Sequence, residues 1–256
     1  MVQVVEPPKR RHPNLILHCG AHAVELNQVQ EVQTPRSTAT WTPIPHIGLI
    51  RQVQQALAAA HLRIGTQAHS LTHDGMRYFG LMEVHGHQLD REDYSLVMGL
   101  RNSHDKRFPA GIVTGSSVFV CDNLSFSGEI ELSRKHTRFI TRDLPQLVSR
   151  AVGLLGEKWY QQDRRIEAYK RIQVGEEVAH DLVIRSVDAG VCANSYIPDV
   201  LQEWRKPKHE VFEQRNVWSL FNSFTEALKQ GSLAELPKRT QALHGLLDSH
   251  VGLGQN

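Results

Sequence analysis

Cysteine is scarce. Cys19, Cys121 and Cys192 are the only three in 256 residues, and no two form a CxxC pair. This excludes a disulfide framework or zinc ribbon and fits a reducing cytoplasm. No apolar run approaches the roughly 20 residues of a membrane span, and Met1 to Pro13 is polar and basic without an apolar signal core. A large excess of one charge is missing too. With 29 Lys and Arg against 27 Asp and Glu, the net charge is +2, so any basic surface must be local. Glycine-rich phosphate loops are absent: there is no GxxxxGK(S/T), and no GxGxxG between a strand and a helix. The expectation is a soluble cytoplasmic protein that does not engage a membrane, with its oligomeric state left open.

What is present is an ordinary globular composition, 40% hydrophobic and 22% charged, in a chain long enough to bury a core without metal or disulfide. Pro35, Pro43 and Pro45 around Trp41 predict an extended, pinned segment. Ile47, Ile50, Val53 and Leu57 then recur at helical spacing over 46–60. From 62 to 134 the period is close to two. A hairpin joins 62–72 to 76–85 through Asp74-Gly75, a pair suited to a type I′ turn. Further strands are expected at 94–102, 112–122 and 128–134. From Thr141 the helical period returns through Leu144, Val148, Leu155, Trp159, Ile166 and Tyr169, and shorter helices follow at 176–189, 197–205, 216–229 and 237–248. Strands first and helices afterwards predict an α+β fold: an antiparallel meander of about five strands followed by a helical C-terminal part. Residues 1–13 are expected to be a flexible tail, 14–140 the α+β sheet domain, and 141–256 a helical part on or beside the sheet.

The string Asn102-Ser103-His104-Asp105 runs from a strand into a loop, where functional groups often sit. Neighbouring Ser, His and Asp do not make a triad, because successive strand residues face opposite ways. Hydrogen bonding to turn backbone is the simpler role for Asn102, Ser103 and Asp105. A meander can still bring Asp122 and Asn123 near His104 and Asp105, with His136 arriving from the next strand end. His104, Asp105, Asp122 and His136 would then suit a divalent cation. Cys121 alone reads as a small buried hydrophobe, and His85-Gly86-His87, despite its HxH spacing, as a solvated turn.

Charge is concentrated locally. Residues 134–171 hold ten Lys or Arg against four acids. Arg134, Lys135, Arg138, Arg142, Arg150, Arg164 and Arg165 are candidate phosphate contacts, with Trp41, Tyr78 or Phe108 available for base stacking. The alternative for the helical charges is an ordinary solvated face.

The strings HCGAHAVELNQVQEVQTPRSTATWTPIPHIGLI, DGMRYFGLMEV, LVMGLRNSHDKRFPAGIVTGSSVFVCDNLSFSGE and RKHT, spread over residues 14–249, resemble the phage- and plasmid-related family of domain of unknown function 932. Its Asn-Ser-His-Asp motif falls on Asn102, Ser103, His104 and Asp105, its Cys-x-Asn motif on Cys121 and Asn123, and its Arg/Lys-His motif on Lys135 and His136. Asn123 is followed here by Leu124 rather than the commoner glycine. The resemblance implies a mobile-element protein concerned with replication, recombination or evasion of host defence.

Three functions follow as expectations. The first is a non-catalytic nucleic-acid-binding protein that needs no cofactor and favours single-stranded DNA or RNA, since no duplex-reading motif is present. The second is a metal-dependent hydrolase or nuclease using a divalent cation at His104, Asp105, Asp122 and His136. The third is a counter-defence protein that binds a host enzyme.

Overall fold

The computed structural model describes residues 22–86, 94–118, 124–231 and 235–253. The expected tail at 1–13, Cys19, His87, Cys121, Asp122 and Asn123 lie outside them. Among the described residues six strands form one antiparallel sheet in sequence order: β1 (His22–Val24), β2 (Arg63–Thr72), β3 (Arg77–His85), β4 (Tyr94–Ser103), β5 (Ala110–Val118) and β6 (Leu124–Arg134). The fold is α+β. The sixth strand is the short β1, which pairs with His69, Ser70 and Leu71 at the edge of β2 and is too brief to leave a period-two signature. β5 begins at Ala110 and β6 at Leu124, each earlier than their side-chain pattern suggested.

The β2–β3 turn follows its chemistry. Asp74 and Gly75 take φ of 52° and 82°, and the Met76 amide donates to the His73 carbonyl at 2.9 Å, closing a type I′ turn.

Before the meander come α1 (Leu26–Glu31) and α2 (His46–Ala59); after it come α3 (Ile140–Gly153), α4 (Leu155–Arg171), α5 (Glu176–Asp188), α6 (Ile197–Arg205), α7 (Val217–Leu228) and α8 (Leu236–Val251). The single helix expected from Thr141 to Tyr169 is two helices, broken at Leu154 between Gly153 and Gly156, where two closely spaced glycines weaken helix propagation. α7 is apolar around most of its circumference and is the most deeply buried helix, with Leu220, Phe221 and Phe224 at its centre. Asn216 caps it as its residue type predicts: its Oδ1 accepts from the Ser219 amide at 2.8 Å.

Opposite partners across the ladder share a face. Tyr78 opposes Asn102, and Leu100 opposes Ile112, so these face the helices. The Asn102 amide reaches His46 at the start of α2, and the Gln162 amide of α4 donates to Ser116 at 3.4 Å. Phe79, Arg101 and Gly111 lie opposite one another on the other face.

Candidate nucleic-acid interface

The proline-pinned segment before α2 lies as a strap over the open end of the sheet. Trp41 bridges to Thr137, and the Thr42 amide donates to the His136 carbonyl at 3.3 Å. Beneath the strap is a shelf of buried polar side chains. Asn102 uses both amide hydrogens, donating to the Ile44 carbonyl at 3.0 Å and to His46 Nδ1 at 2.8 Å. His46 Nε2 donates to the Gly75 carbonyl at 2.8 Å, which ties α2 to the hairpin turn. His104 Nε2 donates to the same Ile44 carbonyl at 2.9 Å. The His46 and His104 rings stack, and Trp41 stacks over His136 with centroids 6.3 Å apart.

These imidazoles are held neutral. Burial first, then the nearby His104 and His136, brings His46 down to about 3, against the backbone bond to Gly75. Burial and His104 bring His136 down to about 4. Burial lowers His104 as well, opposed by its bond to Ile44 and by Asp105. Asn102 Oδ1, His104 Nδ1 and both ring nitrogens of His136 are buried without a hydrogen-bond partner among the described residues. Clusters of this kind are unusual in a purely structural core.

The structure therefore splits the Asn102–Asp105 string. Asn102 and His104 face the shelf with His136. Ser103 and Asp105 close their own turn: the Ser103 hydroxyl donates to Asp105 Oδ1 at 2.6 Å, the Arg107 amide donates to both side chains, and Arg77 donates to Asp105 Oδ2 at 2.7 Å. The expected cation-binding quartet is not assembled by the described residues. Asp105 is occupied by Arg77, Asp122 lies outside them, and no three of His, Cys, Asp or Glu are placed to hold a metal ion among those described. His104 and His136 alone retain a free ring nitrogen there.

The basic candidates also separate. Arg134 and Arg142 both pair with Asp143, at 3.0 and 2.8 Å, and these bonds, that of Arg142 first, hold Asp143 below the usual carboxylate range. Arg165 is fixed to Asp248, its Nε at 3.0 Å from both carboxylate oxygens, so it belongs to the helical core and is withdrawn from the candidate contacts. Lys135, Arg138, Arg150 and Arg164 are exposed, with no carboxylate partner among the described residues.

Of the candidate stacking rings, Tyr78 is fully buried and hydrogen-bonded to His69 Nδ1 at 2.9 Å, which removes it from any surface. Phe108 packs on Phe79, ring centroids 5.3 Å apart. Trp41 stays at the surface, with Lys106 Nζ 4.6 Å above its ring. Two aromatics missed in the sequence are more exposed. Phe139, 42% exposed, has the Arg138 and Arg142 guanidiniums 4.5 and 4.7 Å from its ring centroid. Tyr160, 61% exposed, has Arg164 beside it. The available signal was arginine flanking an aromatic at short or helical spacing. The Trp41–Thr137 bridge brings the strap with Trp41 and Lys106 to the segment that carries Lys135, Arg138 and Phe139, so these cations and aromatic rings share one corner of the molecule.

No family model matches the chain, and neither a curated protein nor a solved structure matches it. The family resemblance rests on the motifs alone. No helix among the described residues is long and apolar enough to cross a membrane.

Proposed function

We propose that the protein binds nucleic acid without catalysing a reaction on it, single strands in preference to duplex, in the service of a phage or plasmid. The observation that carries this reading is the exposed Phe139 ring with the Arg138 and Arg142 guanidiniums on it, two residues from the Thr137 bridge to Trp41, which itself carries Lys106. Unstacked bases offer π-faces to the Arg138 guanidinium plane laid against Phe139, while Lys106 and Lys135, both exposed, meet phosphates, and both contacts tolerate any sequence. Duplex DNA keeps its bases stacked and offers this corner only its backbone. The shelf of Asn102, His104 and His136 supports the corner from below by fixing the strap that carries Trp41.

The test is fluorescence anisotropy with labelled single-stranded DNA, single-stranded RNA and duplex of equal length, at low and moderate salt. Salt-sensitive binding with single strands ahead of duplex is expected; no binding at low salt ends the proposal. The metal-dependent hydrolase reading keeps one observation in its favour, the free nitrogens of His104 and His136. Cleavage of a single strand on adding manganese, lost in His136→Ala, would put it ahead.

A further inference from the structure

On the sheet face turned away from Tyr78 and Asn102, Arg101 stands in the ladder between Phe79 on β3 and Gly111 on β5. Its guanidinium lies directly over Gly111, where a Cβ would meet Arg101 Nε at 3.0 Å, and against the Phe108 ring at 5.6 Å. Phe108 in turn packs on Phe79. The guanidinium is half-buried and partly stripped of water, which lowers its proton affinity, yet among the described residues it makes neither an ion pair nor a hydrogen bond. A half-buried cation without an acceptor is costly unless something supplies one. Asp105, just beyond the end of β4, is held instead by Arg77 and Ser103.

We infer that Arg101 is the receiving group for a phosphate oxyanion, with Phe79 and Phe108 forming the apolar wall beside it, and that in the bound state this phosphate is a phosphodiester of the nucleic-acid strand. The inference rests on the single-strand reading for the identity of the ligand. Continuity supports it: the 104–109 loop carries Lys106 over Trp41 and Phe108 over Arg101, so one loop joins this site to the corner at Trp41. Lys106 and Arg107 are both exposed along it. Arginine suits the role because its planar fork meets two phosphate oxygens while its face rests on an aromatic ring.

Two measurements on the full chain separate this inference from the reading beneath it. In the first, the arginine Nε–Hε resonances are recorded by NMR during titration with inorganic phosphate, with the Arg101 signal assigned by its loss in Arg101→Gln. A saturable shift of that signal, larger than those of the exposed arginines, is expected; uniform small shifts of every arginine overturn the inference. In the second, the salt dependence of oligonucleotide binding is compared for wild type, Arg101→Gln and Arg101→Lys. Removing the charge should reduce the log–log slope by about 0.7, and lysine should retain it. Equal affinity and slope for wild type and Arg101→Gln would overturn the inference while leaving the corner at Trp41 intact. A phosphate shift at Arg101 without oligonucleotide binding would instead sink the single-strand reading and keep Arg101 as a site for a free phosphate.

Discussion

The imidazoles of His46 and His104 lie face to face, ring centroids 3.9 Å apart and 8° from parallel. Two charged rings could not hold that arrangement in a buried site, so the strap over the sheet depends on neutral histidine. Folded His46 and His136 bind protons only near pH 3 and 4, whereas the unfolded chain binds them near 6.5. The unfolded state therefore takes up more protons as pH falls from 6.5, and stability falls with it. Above 6.5 neither state is protonated at these positions and the contribution is constant. Between pH 6.5 and 5 each ring should cost about 2 kcal/mol. Thermal melting from pH 7.5 to 5 should show a flat upper region and a steep acid decline, and His136→Phe should make the decline shallower. An unchanged acid limb in that variant would contradict the assignment.

Asn102 is the residue on which the shelf turns, because its amide serves the strap and α2 together. Asn102→Ala leaves His46 Nδ1 without its donor and should cost about 2 to 3 kcal/mol. Asn102→Asp should be worse at neutral pH, since a buried carboxylate cannot donate to either acceptor. Denaturant unfolding checks both. Because the strap carries Trp41, the Asn102→Ala protein should also show altered tryptophan emission before it unfolds.

Gly80 makes room for the Tyr78 phenol. A Cβ there would collide with the hydroxyl that bonds to His69. Gly80→Ala should destabilise by about 1 to 3 kcal/mol through overpacking. In the Tyr78→Phe background the same substitution should cost less, because the hydroxyl it strikes most closely is gone and only the ring edge remains in its way. Additive losses in that double-mutant cycle would place the strain elsewhere.

Arg165 and Arg138 look alike in sequence and should behave in opposite ways. Arg165→Gln breaks a partly buried pair with Asp248 and should cost about 1 to 3 kcal/mol of stability with little effect on oligonucleotide binding. Arg138→Gln should leave melting within about 0.5 kcal/mol and weaken binding. A loss of binding in folded Arg165→Gln equal to that in Arg138→Gln would show that the division into paired and free cations carries no functional meaning.

The sheet was legible because its alternation and its Asp74-Gly75 turn are local signals. The break at Leu154 was not, since the apolar spacing runs on across it and only Gly153 and Gly156 weaken the helix. The grouping of Asn102, His104 and His136 could be proposed from strand ends, but His46 could not, because a histidine opening a helix 56 residues before Asn102 joins it only through the register of the sheet. Ser103 and Asp105 showed the limit of reading a contiguous string as one site: strand alternation turned them to the other side, where Arg77 waits. Charge counting found the basic segment, yet pairing across 83 residues, as between Arg165 and Asp248, leaves no trace in composition.

The central claim is that Lys106, Lys135 and Arg138, which have no carboxylate partner among the described residues, hold a nucleic-acid strand beside Trp41 and Phe139. The most direct measurement is the affinity of a labelled oligothymidylate for wild type and for Lys135→Gln/Arg138→Gln across a series of salt concentrations. Two lost phosphate contacts should lower the log–log slope by about 1.4 and weaken binding most at low salt, with melting unchanged. Equal slopes and affinities for the two proteins, both folded, would contradict the claim.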